Sequence, residues 1–330
     1  MTPFVEISIA GRVIGGVGKR ALPGQLVEYD GEHADELHLS ISNYDGMLQK
    51  PRKDERVTVR LGWKETGVAK IGEFVITEID KVGPSAQFHI VGHSADLKKT
   101  LKKQKTRAWK KDKKLGDVIK DVAKDNDLQP AIDSELEKVE IEKIIAQTGE
   151  SDMHLVTRLA RQYGALAKFK DGRLVFVKKG KGTTASGQPA ERETITPNDC
   201  VGFTFHSGAR NERGKAKATH YDRSKAKRNV EESRGGGDDG SPDYFHPHSY
   251  GTQIEALTQA RSRKEDFDRA KAGFNATRAP GRIGVAPGGV AQTQGFGDDD
   301  DREWTCKKRL FGWNAQGLIV RQDFEPKEEG

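Results

Sequence analysis

The chain has 330 residues, room for two to three domains at about 150 residues each. Apolar residues make up 34%, charged residues 32%, and there are 37 glycines, so loops and exposed surface are plentiful. The longest apolar runs, such as Leu174-Val175-Phe176-Val177, fall far short of the ~20 residues a membrane-spanning helix needs, which excludes a helical integral membrane protein. Fifty-six Lys and Arg against 50 Asp and Glu leave +6, too small a surplus to argue for a nucleic-acid partner by itself.

Met1-Thr2-Pro3-Phe4-Val5-Glu6 lacks the basic start of a signal peptide, and Glu6 interrupts its apolar stretch, so no export by that route is expected. Cys200 and Cys306 are too few for a disulfide framework and too far apart for a zinc site. A reducing compartment and no metal are expected.

Residues 1–97 read as β structure. Phe4 to Ile9, Leu37 to Ser42, Val57 to Leu61, Phe74 to Ile79 and Phe88 to Ile90 are short apolar or alternating runs, separated by turn signals such as Asn43-Tyr44-Asp45-Gly46. Strands at this spacing predict a small barrel or sandwich. At Lys98 the composition changes: residues 98–114 hold ten Lys or Arg and one acid, Asp112. Helical periodicity follows at Leu115, Val118, Ile119 and Val122. A second helix is predicted from Asp152 to Tyr163, capped by Ser151 and stopped by Gly164, with Leu155, Val156 and Leu159 inward. A hairpin follows over Ala167 to Val177, turning at Asp171-Gly172. Residues 98–180 are therefore expected to be a basic connector plus an α+β insert.

A Gly/Ser-rich linker over 180–190 opens the last part, 181–330. There Val201 to His206 alternates, and Ala216 to Tyr221 is expected to pair with Ala226 to Val230. A mobile loop is expected at 233–250 and an amphipathic helix at about 253–274, with Leu257, Ala260 and Phe267 inward. Strands return through Glu303 to Cys306 and Gly317 to Phe324. The expected class is mainly β with an α+β insert and a β domain on either side.

Several strings resemble chemistry and fall short of it. Gly15-Gly16-Val17-Gly18-Lys19-Arg20 lacks the leading glycine and trailing hydroxyl of a phosphate loop and reads as a hairpin turn. His246-Pro247-His248 has no third ligand nearby, and Asp298 to Asp301 lacks the ligand spacing of a calcium loop. No nucleophile elbow or cysteine with a base stands out. The basic run is the strongest local feature. Lys98, Lys99, Lys102, Lys103, Lys105, Arg107, Lys110 and Lys111 surround Trp109, a set that can neutralise phosphates while an aromatic ring stacks on a base, or can form a solvated connector with Trp109 packed inward.

Thr106 to Lys114, Leu115 to Ile119, and above all Gln147-Thr148-Gly149-Glu150-Ser151-Asp152-Met153-His154-Leu155 through Ala165, followed by Lys168 to Phe176, closely resemble the phage late-control D family. Leu37 to Asn43, Arg56 to Trp63, Ala279 to Gly288 and Gly295 to Trp304 extend the resemblance over most of the chain. That family comprises baseplate hubs of contractile tails, similar to the hub of T4-like phages and to the N-terminal part of type VI spike proteins. The resemblance implies two tail-tube-like β-barrel domains per chain, a trimer forming a pseudo-sixfold ring, and an adaptor between a sixfold tail tube and a threefold central spike around a channel. It implies a homotrimer, a spike, a tube or tube-initiator protein and a tape-measure protein as partners. It further implies synthesis in the bacterial cytoplasm, assembly into a phage or phage-like baseplate, and neither enzyme activity, cofactor nor membrane insertion. The basic run would lie near the channel. Two other readings stand beside it: a nucleic-acid-binding β-barrel protein acting through residues 98–114, and a cell-wall hydrolase using Glu150 and Asp152, which would need a carboxylate pair set for glycosidic cleavage.

Overall fold

A computed structural model of the chain describes all residues except 17–20, 32, 85, 95–98, 112, 142, 171, 180–189, 209–212, 223–224, 234–239 and 328–330. Lys98, most of the expected 180–190 linker and the tip of the Gly15 to Arg20 turn lie outside the described residues.

The first β region contains β1 (Pro3–Ile9), β2 (Arg12–Gly16), β3 (Ala21–Tyr29), β4 (Glu36–Ser42), β5 (Arg56–Trp63), β6 (Gly67–Val82) and β7 (Gln87–His93). Alternation decides which face is inward: Leu37, Leu39 and Ile41 of β4 and Val57, Val59 and Leu61 of β5 are all buried. The middle region runs α1 (Lys99–Lys102), β8 (Gln104–Trp109), α2 (Leu115–Asp125), β9 (Gln129–Ile132), α3 (Ser134–Glu137), β10 (Ile145–Ser151), α4 (Asp152–Gln162), β11 (Ala165–Lys170) and β12 (Arg173–Lys178). Ser151 caps α4 by accepting from the His154 N–H at 3.2 Å, and Gly164 at φ +60° ends it. Leu155, Val156 and Leu159 sit in one apolar cluster with Leu115, Val118, Ile119 and Val122 of α2 and with Leu174 and Phe176 of β12. The α+β insert therefore folds much as its periodicity predicts.

The last region holds β13 (Arg192–Ile195), β14 (Cys200–Ser207), β15 (Ala216–Asp222), β16 (Lys227–Glu232), β17 (Tyr244–Tyr250), α5 (Gln253–Arg269), β18 (Ala272–Arg278), β19 (Val290–Thr293), β20 (Glu303–Asn314) and β21 (Gly317–Pro326). Two expectations change here. The loop expected at 233–250 contains a strand, β17, which pairs parallel with β15. The helix expected to reach 274 ends at Arg269, and Phe274 lies in β18, paired opposite Phe324 of β21. Among the residues expected inward on that helix, Ala260 is buried with Ala256 against Ala218 of β15, whereas Leu257 and Phe267 are half-buried. Small side chains let α5 lie close on its three-stranded sheet.

The two β regions share one thirteen-stranded sheet, in the order β14-β18-β21-β20-β3-β4-β7-β6-β5-β1-β2, with β13 and β19 branching from β20. The molecule is mainly β as expected, but the ladder among the described residues closes no barrel. The two regions meet where β20 pairs antiparallel with β3, from Lys308 opposite Tyr29 to Trp313 opposite Gly24. Phe311 and Trp313 of β20 and Leu318 and Val320 of β21 enter the first region's core beside Val5, Leu26, Val59 and Phe74. Gly24 is required at this crossing, because a Cβ there would lie 2.2 Å from the Trp313 ring. Among the described residues no helix is long and apolar enough to cross a membrane.

Candidate functional site: the basic strand and the seam between the β regions

The basic run is not an unstructured connector. Its centre is β8, an antiparallel partner of β10, with Arg107 opposite Gln147 and Lys105 opposite Glu150. This pairing aims two of its cations at Asp152, the first residue of α4, whose side chain is fully buried. Lys105 Nζ lies 2.6 Å from Asp152 Oδ2 and Arg107 Nη2 2.8 Å from Oδ1. Gln147 Nε2 donates to the same carboxylate at 2.9 Å and Asn126 Nδ2 at 2.8 Å, while Gln147 Oε1 accepts from Arg107 Nε at 2.7 Å. Arg107 also pairs with Asp125. Burial alone would raise the Asp152 carboxyl; hydrogen bonds from Lys105, Gln147 and Asn126, with the Arg107 charge, outweigh it and hold the group below its ordinary value. A carboxylate in the first turn also complements the helix dipole.

Trp109 is buried beside α2, donating through Nε1 to Asp121 at 2.8 Å, with the Arg107 guanidinium 4.5 Å from its ring centre. It offers no open face on which a base can stack, and Lys105 and Arg107 are committed to carboxylates. The nucleic-acid reading loses three members of its set for this reason. Lys102, Lys103, Lys110 and Lys111 remain solvent-exposed, and their side chains make no ion pair among the described residues. The side chain of Lys99 lies outside the described residues. The hydrolase pair also dissolves: Asp152 is buried and saturated with donors, and Glu150 is held by the Arg158 guanidinium at 2.8 and 3.1 Å. Asp301 of the acidic run accepts the Gly295 and Phe296 N–H groups at 2.8 and 3.0 Å, closing a turn. Both histidines of the 246–248 string lie on β17, where the His246 ring contacts the Tyr250 hydroxyl.

Sequence reasoning missed the residues that hold the regions together. Glu28 and Arg309 stand opposite each other where β3 meets β20, both buried, with Nε 2.8 Å and Nη2 2.7 Å from Glu28 Oε2. Arg309 Nη1 donates to the Gly284 carbonyl at 2.7 Å, so the guanidinium is saturated on three sides. The insert is fixed to the first region by Lys168, which reaches buried Asp35 at 2.9 Å and the Tyr29 carbonyl at 2.6 Å. From the other side, Gln259 and Ser262 of α5 donate to the Gln162 and Arg161 carbonyls at the end of α4. These contacts tie the insert and the two β regions to one another.

The family model for the phage tail baseplate hub (GPD) matches residues 36–311. The chain belongs to the phage tail baseplate hub family. It is 27% identical over 341 residues to a probable baseplate hub protein of Escherichia phage 186, covering 92% of this chain and 87% of that one. It is 26% identical over 366 residues to a probable baseplate hub protein of Escherichia phage P2, covering 98% and 93%. In fold it is similar to the 43 kDa tail protein of prophage MuSo2 from Shewanella oneidensis, with TM-score 0.74, 12% identity and 98% of each chain covered. A baseplate hub is a structural component of the tail, and this family is not an enzyme class.

Proposed function

We propose that this hub protein works as a trimer, in which three copies each present two β regions and close a pseudo-sixfold ring between the sixfold tail tube and the threefold central spike, around a channel. In this reading residues 1–97 and 181–330 are the two ring-forming units and residues 98–180 the insert between them. The observation that supports it is the seam: one ladder runs through both β regions, and the buried Glu28–Arg309 pair bridges β3 and β20. A symmetry adaptor needs two similar modules held rigidly in one chain and has no need of a catalytic group.

The spike and the tube or tube-initiator protein are the expected neighbours, with a tape-measure protein in the channel. The hub is made in the bacterial cytoplasm and enters the baseplate there. Lys102, Lys103, Lys110 and Lys111 face the channel or lie beneath the tube, where four exposed cations would meet polyanionic cargo. Negative-stain imaging of the purified chain tests the ring: threefold particles with a central hole are expected. A chain that stays monomeric at high concentration, even with its spike, overturns it. Charge reversal of the four lysines is expected to lower delivery while leaving assembly intact; unchanged delivery removes their channel role.

A further inference from the structure

Strand β14 ends the shared ladder. One of its edges pairs with β18 and the other pairs with nothing among the described residues. Open edges are aggregation hazards unless charge, proline or a covering element protects them. Two other edge strands are protected: β16 carries Lys227, Arg228, Glu231 and Glu232, and β17 has Pro247 at its centre. β14 reads Cys-Val-Gly-Phe-Thr-Phe-His-Ser, with no Asp, Glu, Lys, Arg or Pro, and its Val201 and Phe203 are 71% and 49% exposed.

The core behind this edge is also unfinished. Phe324, Phe274 and Phe205 stack in succession at 5.2 and 4.5 Å, and Phe203 packs edge-on against Phe296 at 4.8 Å. The aromatic array runs outward through the sheet and stops half-exposed at β14. The first region's core solves the same problem inside the chain, since β20 adds to the edge of β3 and brings Phe311 and Trp313 with it. A core that is completed by strand addition at one junction and left open at the other is the signature of an interface that resembles a bisected core.

We propose that β14 is a strand-addition site for a second copy of this chain, and that the arriving edge is β2, the opposite end of the same ladder. Among the described residues β2 pairs only with β1, and it exposes Val13 at 63%. Joining β14 to β2 of the next copy repeats between chains the order, last region then first region, that β20 and β3 already make within one. The contact is head-to-tail, so it generates a ring when the rotation closes. Pairing of β14 with β14 would stop at a dimer. This inference rests on the ring reading and supplies its junction.

The test uses the full chain. Val201→Lys with Thr204→Lys places two cations on the open edge at exposed positions, and is expected to convert the trimer to monomer by light scattering with an unchanged far-UV spectrum. In a Cys200→Ser background, Thr204→Cys combined with Val13→Cys is expected to give a covalent trimer on mild oxidation, and neither cysteine alone does so. Cys306 does not compete, because it is fully buried and burial pushes its thiol up to about 12. A trimer that survives the lysine pair, or a trimeric cysteine variant that forms no inter-chain link, overturns this junction and leaves the ring standing. A monomeric wild-type chain overturns both.

Discussion

The two β regions share one sheet and differ in how their cores are completed. The first gathers nineteen buried apolar residues, four of them from the β20–β21 hairpin of the other region. The last region, having sent that hairpin outward, keeps a main cluster of eight among the described residues, and its aromatic array reaches solvent at β14. A region that contributes part of itself to its neighbour becomes dependent on a neighbour in turn. The first region has the larger apolar cluster, and the proposed junction lies in the last.

Four changes would break or sharpen this contrast. Phe311→Ala, in the shared hairpin, removes a fully buried ring from the first region's core and is expected to cost about 3–5 kcal/mol in a denaturant titration. Glu28→Ala leaves Arg309 buried without its carboxylate and should cost about 3 kcal/mol, whereas Glu28→Leu with Arg309→Met should come close to wild type; a double variant as unstable as the single would argue against charge burial as the cause. Acid acts through Asp152 in the insert. Its folded carboxyl is held low, so its stabilisation is complete above the unfolded value of about 3.9 and is lost as pH falls through the lowered one. Thermal unfolding between pH 6 and about pH 2 should therefore show a flatter profile for Asp152→Asn than for wild type. The smallest effect on the chain alone belongs to Phe203→Ala, which removes a half-exposed ring and should shift stability by about 1 kcal/mol or less.

Local signals carried the insert. In α4 the cap, the apolar spacing and the terminating glycine all fall within fourteen residues, and each is satisfied by its own turn of chain. The same logic misplaced the end of α5: Phe274 lies seven residues beyond Phe267, in phase with the helix, and only its pairing with Phe205 on one side and Phe324 on the other makes it a strand residue. The basic run was legible as charge but not as a strand, because β8 has the composition of a solvated segment and its partner β10 lies across α2 and α3. What decides the roles of Lys105 and Arg107 is an aspartate some forty-five residues away. The seam is less local still. Nothing near Glu28 or Arg309 in sequence marks either as half of a buried pair, since neither has its environment until the whole sheet exists.

Glu28 and Arg309 are 281 positions apart. As the polypeptide leaves the ribosome, its opening strands must wait for the distant β20–β21 hairpin before their interior is sealed. A prematurely terminated product lacks the closing hairpin, cannot complete its leading half, and presents exposed apolar surface to chaperones and proteases.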